Sequence, residues 1–197
     1  MPLVAPKAKR ILPPEGTHLA RLVRILHLGT IQEEYMGEMK EMNKVDFMFE
    51  LVDELHTFKE GDEPKPFVIS KELTLSMGEK ANLRKLIEGI TGKSMVQGEA
   101  DGFDIESLLN KPCLITVKYK TSKAGNERAE ITTASPLMKG QTAKEPFNAP
   151  KLLSFTSWDE AYLESLPEFL QDKIMSSKEY KNMKGIKEVD VTEEKPF

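Results

Sequence analysis

Few residues in this 197-residue chain carry side chains suited to bond-making chemistry, and their spacing is poor for it. Gly92-Lys93-Ser94 has the ending of a phosphate-cradling loop. Such a loop needs a glycine five positions before the second glycine, and it must leave a strand to open a helix. Ile87 occupies that position and the triplet follows a helical pattern, so the reading is a helix end and a loop. His18, His27 and His56 have no i, i+4 partner and no cysteine at ligand spacing, which speaks against a metal. The single cysteine, Cys113, leaves no intramolecular disulfide and no cysteine cluster, and it fits a reducing cytoplasm. It follows Pro112 in a strand pattern, where a buried structural thiol is the expectation. No motif picks out a set of acids. The reading is a protein that is not an enzyme and needs no cofactor.

What remains is recognition of an anion by clustered cations and flat rings. The net charge of −4, from 28 Lys+Arg against 32 Asp+Glu, at first opposes a nucleic-acid role. The charge is segmented, however. Residues 1–30 carry +4, 31–64 carry −8, 65–110 are close to neutral, 111–144 carry +5, and the stretch from Trp158 onward carries −4. Each block has an ordinary reading as solvated surface. Together they read as two basic patches for an anionic partner and a separate acidic end.

Several elements are needed to position these groups. Residues 1–15, with Pro2, Pro6, Pro13 and Pro14 among basic residues, read as an extended basic arm. Residues 17–31 have apolar residues on both alternating faces. Helix is possible by pattern, but Gly16, Gly29 and the β-branched content favour a long strand that bends or bulges to serve two packing surfaces. Residues 32–43 are polar and read as a flexible connection. Val45, Phe47, Phe49 and Leu51 alternate with polar neighbours, the clearest strand in the chain. Glu60 to Pro64 is a turn, and a third strand runs through Phe67 and Ile69 to Leu75.

The period then changes. Ala81, Leu83, Leu86, Ile87 and Ile90 predict a helix, with Ser76 and Glu79 as its capping box and Gly89 or Gly92 as its end. A helical turn is expected at Ile105–Leu109, capped by Asp104. Cys113 to Tyr119 and Arg128 to Ser135 are two strands of a hairpin around residues 122–126. The predicted interior is Val23, Ile25, Phe47, Phe49, Ile69, Ile115, Val117 and Ile131.

Five strands with a helix between the third and fourth is the order of an OB-fold, a Greek-key barrel. The fold class is thus mainly β, with that barrel at 16–140. A linker and helical extension follow at 141–185. In it Ser157 would cap one short helix, and Pro167 would begin an amphipathic helix with Leu166, Phe169, Leu170 and Ile174 on its apolar face. Residues 186–197 read as a disordered acidic tail. No stretch approaches the ~20 apolar residues of a membrane span, and no signal peptide is read near Met1.

Sequence-tolerant binding of a single strand needs a cationic groove and rings for base stacking. The candidates are Arg21 and Arg24 on the first strand, Lys44 and Lys71 on the second and third, and Lys118, Lys120, Lys123 and Arg128 on the last hairpin. Tyr35, Phe103 and Tyr119 are the stacking candidates, each with an alternative place in the core. Glu33, Glu34, Glu38 and Glu41 count against such a site, because they would repel a phosphate backbone.

The runs Glu15–Val23, Val45–Leu51, Asn110–Val117 and Leu166–Leu170 resemble phage-encoded OB-fold single-stranded-DNA-binding proteins, over about residues 15–180. The resemblance implies a protein that coats and protects single-stranded DNA in phage replication or recombination, in a bacterial host's cytoplasm. Residues 188–197 are similar to the acidic tails, ending in an aromatic residue, that recruit replication partners. Asp190, Glu193, Glu194, Pro196 and Phe197 would form that contact, with Lys195 interrupting the acidic run. A rival reading is a non-enzymatic interaction or adaptor module of a phage assembly. RNA binding, oligomeric state and the choice between strand protection and annealing stay open.

Overall fold

The structure is a computed structural model that describes residues 11–122 and 125–186. Its central element is β1 (Gly16–Tyr35), which pairs antiparallel with β2 (Glu38–His56) on one side and β4 (Pro112–Thr121) on the other. β3 (Lys65–Thr74) extends the sheet beyond β2, and β5 (Glu127–Ser135) beyond β4, giving the order β3-β2-β1-β4-β5. A short sixth strand, β6 (Lys151–Leu153), runs parallel to β1 at Arg24–Leu26. The chain is therefore mainly β, with an antiparallel sheet and a few short helices. α1 (Asn82–Thr91), α2 (Gln97–Asp101) and a 3-10 turn (Ile105–Leu108) lie between β3 and β4 in sequence. α3 (Glu160–Ser165), α4 (Glu168–Met175) and α5 (Lys178–Met183) follow β6. No helix among the described residues is long and apolar enough to cross a membrane.

Strand alternation builds the main core. Ile25, Phe47, Phe49, Ile69, Ile115, Val117 and Ile131 meet there with Leu83, Leu86, Ile87 and Ile90 of α1. Phe47 and Phe49 are fully buried, and each contributes about 1.5–3 kcal/mol of transfer free energy. Leu22, not the expected Val23, fills the first-strand position. β1 shifts register between Leu22 and Arg24, so Val23 is the extra residue of a bulge, buried but outside the core cluster.

The bulge lets β1 serve a second core. Leu26 and Leu28 point to the opposite face and pack with Leu153, Leu163, Leu166, Leu170 and Ile174. The helical extension thus covers the outer face of β1. Phe169 does not join this cluster, contrary to its expected place, and is 68% exposed. Asp159, not Ser157, caps α3 by accepting from the Tyr162 N–H at 3.0 Å. The predicted Ser76/Glu79 box also fails, because α1 starts later, after an extended Ala81 with no side-chain cap. Gly92 ends α1 in a left-handed conformation, and Asp104 caps the 3-10 turn, both as expected.

Residues 32–43 are the largest departure from expectation. They are strand: β1 and β2 continue as a two-stranded ribbon, with Glu33 opposite Lys40 and Gln32 opposite Glu41. The turn is only Met36-Gly37, with φ of 55° and 83°. Two consecutive positive φ values give a turn whose twist matches the flanking strands.

A second register shift falls between His27 and Gly29. Gly29 has φ +80°, and a Cβ built there would lie 2.6 Å from Ser177 Cβ and 2.8 Å from Glu179 Oε2. A side chain would therefore strain the backbone and push α5 from the ribbon. Gly29→Ala is expected to lower stability by about 1–3 kcal/mol in urea unfolding. An unchanged midpoint would show that α5 does not need this contact.

Candidate nucleic-acid interface

Most of the described binding candidates proposed from sequence fall into two groups. The first lies on the strands and is engaged inside the protein. Arg21 is 9% exposed and donates to the Lys144 carbonyl at 2.7 Å, the Ala143 carbonyl at 3.0 Å, the Asn110 carbonyl at 2.9 Å and Glu145 Oε1 at 2.9 Å. Arg24 is paired with buried Asp46 at 2.8 Å. Lys44 contacts Glu33 at 2.8 Å and Glu72 at 3.5 Å. Apart from the buried Arg24 Nε, which has no partner, these groups are engaged within the fold, so they do not line an open cationic groove.

Lys71 differs again. It lies on the inward face of β3, and its ammonium donates to the Ile131 carbonyl on β5. Burial pushes its pKa down, with Glu130 opposing and Lys120 assisting. Phe103 packs against the main core, which removes it from the stacking candidates. Burial likewise raises the Cys113 thiol to about 12, so it is an inert packing group at neutral pH. The Tyr35 side chain, Lys123 and all five proposed tail residues (Asp190, Glu193, Glu194, Pro196, Phe197) lie outside the described residues.

The second group stays together at the end of the last hairpin. Lys118 faces Glu130 and Lys120 faces Arg128 across the β4–β5 ladder, so all four share one face. Lys118, Lys120 and Arg128 are exposed, and Lys120 reaches Glu130 only at 3.5 Å. Tyr119 lies on the other face, 39% exposed, with its N–H held by Glu15 at 2.7 Å.

Arg128 also borders a groove of about 520 Å³ over β2 and β3. Met48, Val68 and Ser70 of the strands line it together with Ile11, Pro13, Phe58, Lys65 and Phe147. Phe58 is 44% exposed and lies 5.2 Å from the rings of both His56 and Phe67, edge-on. Sequence reasoning missed Phe58, Phe147 and Lys65. Their signal was an aromatic in a polar, glycine- or proline-flanked segment (Phe58 near Gly61, Phe147 between Pro146 and Pro150), where no core position is available.

The structure also gives two acids of the 31–64 stretch, Glu33 and Glu41, a role within the fold. Glu33 and Glu72 bracket Lys44 and Lys173, with Lys173 at 2.6 Å from Glu72 and 3.3 Å from Glu33. Glu41 pairs with Lys178 at 2.6 Å. Glu179 accepts from the Thr30 N–H and hydroxyl at 2.6 and 2.7 Å. Acids of the ribbon are thus the docking ground for lysines of the extension.

Compared with known protein families, curated proteins and solved structures, the chain matches none.

These contacts make docking of the extension pH-dependent. The Lys44 hydrogen bond lowers the pKa of Glu33 against an opposing burial effect. Burial would raise Glu179, but the two Thr30 donors, its own N–H and His27 together outweigh it and the net shift is downward. A carboxyl lowered in the folded state contributes stability that is full above its ordinary value. That stability is lost as pH falls through the folded value. The chain's single tryptophan, Trp158, stacks on Phe155 in the extension and leans on Tyr180 of α5. Its fluorescence is expected to hold from pH 7 to about pH 5 and to change below roughly pH 4. A flat signal down to pH 3, with the sheet intact by circular dichroism, would remove these carboxylates from the docking energetics.

Proposed function

We propose that this protein binds single-stranded DNA with little sequence preference, as an OB-type barrel of a phage replication or recombination system. The order β3-β2-β1-β4-β5, with α1 between β3 and β4 in sequence, is the order such a barrel requires. β3 and β5 lie side by side without a ladder between them, and Lys71 of β3 reaches the Ile131 carbonyl of β5 across that line.

The observation that carries the binding reading is the groove over β2 and β3. It offers the half-exposed ring of Phe58 beside the cations Lys65 and Arg128. Arg128 joins it to Lys118 and Lys120 on the same face of the hairpin. Rings hold bases, and the cations follow the phosphates. The exposed acids Glu60, Asp62 and Glu63 beyond Phe58 repel a backbone there, so the strand leaves the groove toward the hairpin. In this reading the acidic residues 188–197 recruit partner proteins.

The adaptor alternative drew on the acids at 33–41. Glu33 and Glu41 are engaged by Lys44, Lys173 and Lys178 of the same chain, so that feature no longer favours it.

Titration of fluorescein-labelled oligo-dT at two salt concentrations tests the proposal. Log K is expected to fall with log salt at about 0.7 per phosphate contact. Lys118, Lys120 and Arg128 changed together to Ala should weaken binding and flatten that slope by about 2. Phe58→Ala should cost about 1–3 kcal/mol with the slope unchanged. No binding at low salt would sink the reading, and preferential displacement by oligo-U would turn it toward RNA.

A further inference from the structure

Glu50 is the most deeply buried acid described, 1% exposed on the outer face of β2. Its carboxylate accepts from the Phe147 N–H at 2.6 Å, the Asn148 N–H at 2.8 Å and Asn148 Nδ2 at 2.6 Å. Arg21 stands directly opposite it on β1 and holds the carbonyls of Ala143 and Lys144. One buried acid and one buried base therefore fix residues 143–148 on the sheet. Burying a charge is costly unless its partners compensate, and here the partners are mainly backbone groups of a single connecting segment.

The segment so fixed does not bury its aromatic side chain. Phe147 is 63% exposed and lines the groove that Phe58 and Arg128 also line. A linker that served only to cross the sheet would gain by turning this ring inward. Its backbone instead is clamped by Glu50, with the ring left at the groove wall. On β3, Val68 pairs with Glu50 and lines the same groove.

We propose that Phe147 is a second base-stacking platform of the single-strand site, supplied by the linker rather than the barrel, and that Glu50 is its positioning residue. This rests on the single-stranded-DNA reading. The strand then lies between two aromatic walls, Phe58 from the β2–β3 turn and Phe147 from the linker, and the bases face inward while phosphates stay toward Arg128.

The test uses the full chain and fluorescein-labelled oligo-dT. Phe147→Ala should raise Kd about tenfold with the salt slope unchanged, because a ring and no phosphate contact is lost. Phe147→Trp should restore binding. Glu50→Gln places an amide donor against two N–H donors and should weaken binding similarly, with no further loss when combined with Phe147→Ala. If Glu50→Gln does not fold, Asn148→Ala, which removes one donor to the same carboxylate, takes its place. Wild-type affinity in Phe147→Ala would overturn the platform. A fully additive loss in the double variant would overturn the positioning role. If the wild-type chain itself binds no oligo-dT, the parent reading fails instead, and the two results are distinct.

Discussion

β1 has to bury apolar side chains on both of its faces, and the remaining architecture answers to that requirement. A regular strand in a one-core sheet would leave Leu26 and Leu28 in water. The bulge at Val23 and the kink at Gly29 divide β1 into segments that serve different surfaces. The first part packs Ala20, Leu22 and Ile25 into the main core with α1, and Leu26 and Leu28 are covered by β6, α3 and α4. Each half would be incomplete without the other. The second cluster of seven buried residues is too small to support an independent fold, so the extension is stable only on β1.

Beside the second core lies a band of charge. Buried Arg21, Asp46 and Glu50 and the half-buried Arg24 lie on the outer faces of β1 and β2, with Asp46 directly opposite Leu26. Isolated, each would be strongly destabilising. Paired with one another and with linker backbone groups, they convert desolvation into directional constraint. Two strand arginines that look like free cations in sequence are thereby used to fix the chain's path. The open cations sit where the sheet runs out, at the end of the β4–β5 hairpin.

Much of the main core was legible because alternation of Val45, Phe47, Phe49 and Leu51 admits few other readings. The ribbon at 32–43 was not, since its cross-strand pairs are charged and polar and carry no period-2 hydrophobic signal. Only Gly37 marked the turn, and its neighbour Met36 adopts positive φ without a residue type that advertises it. Caps were misplaced at Ser76 and Ser157 because sequence offers several oxygen-bearing side chains within a few residues, and the tertiary position of the first buried residue decides among them. The open groove was illegible for a different reason. Phe58 with Lys65, Phe147 and Arg128 come from three separate stretches, and only the sheet brings them together.

Lys71 bears on how the molecule behaves toward its own kind. Among the described residues no ladder joins β3 to β5, so both strands keep unpaired backbone groups along facing edges. Such edges are templates for strand addition by a neighbouring chain, the first step of sheet aggregation. Lys71 places an inward ammonium across that line, satisfied by the Ile131 carbonyl. An incoming strand that took this carbonyl would leave a half-buried cation without its acceptor, an arrangement that costs more than the new backbone bond returns. One lysine thus guards the open line of the sheet against strand addition.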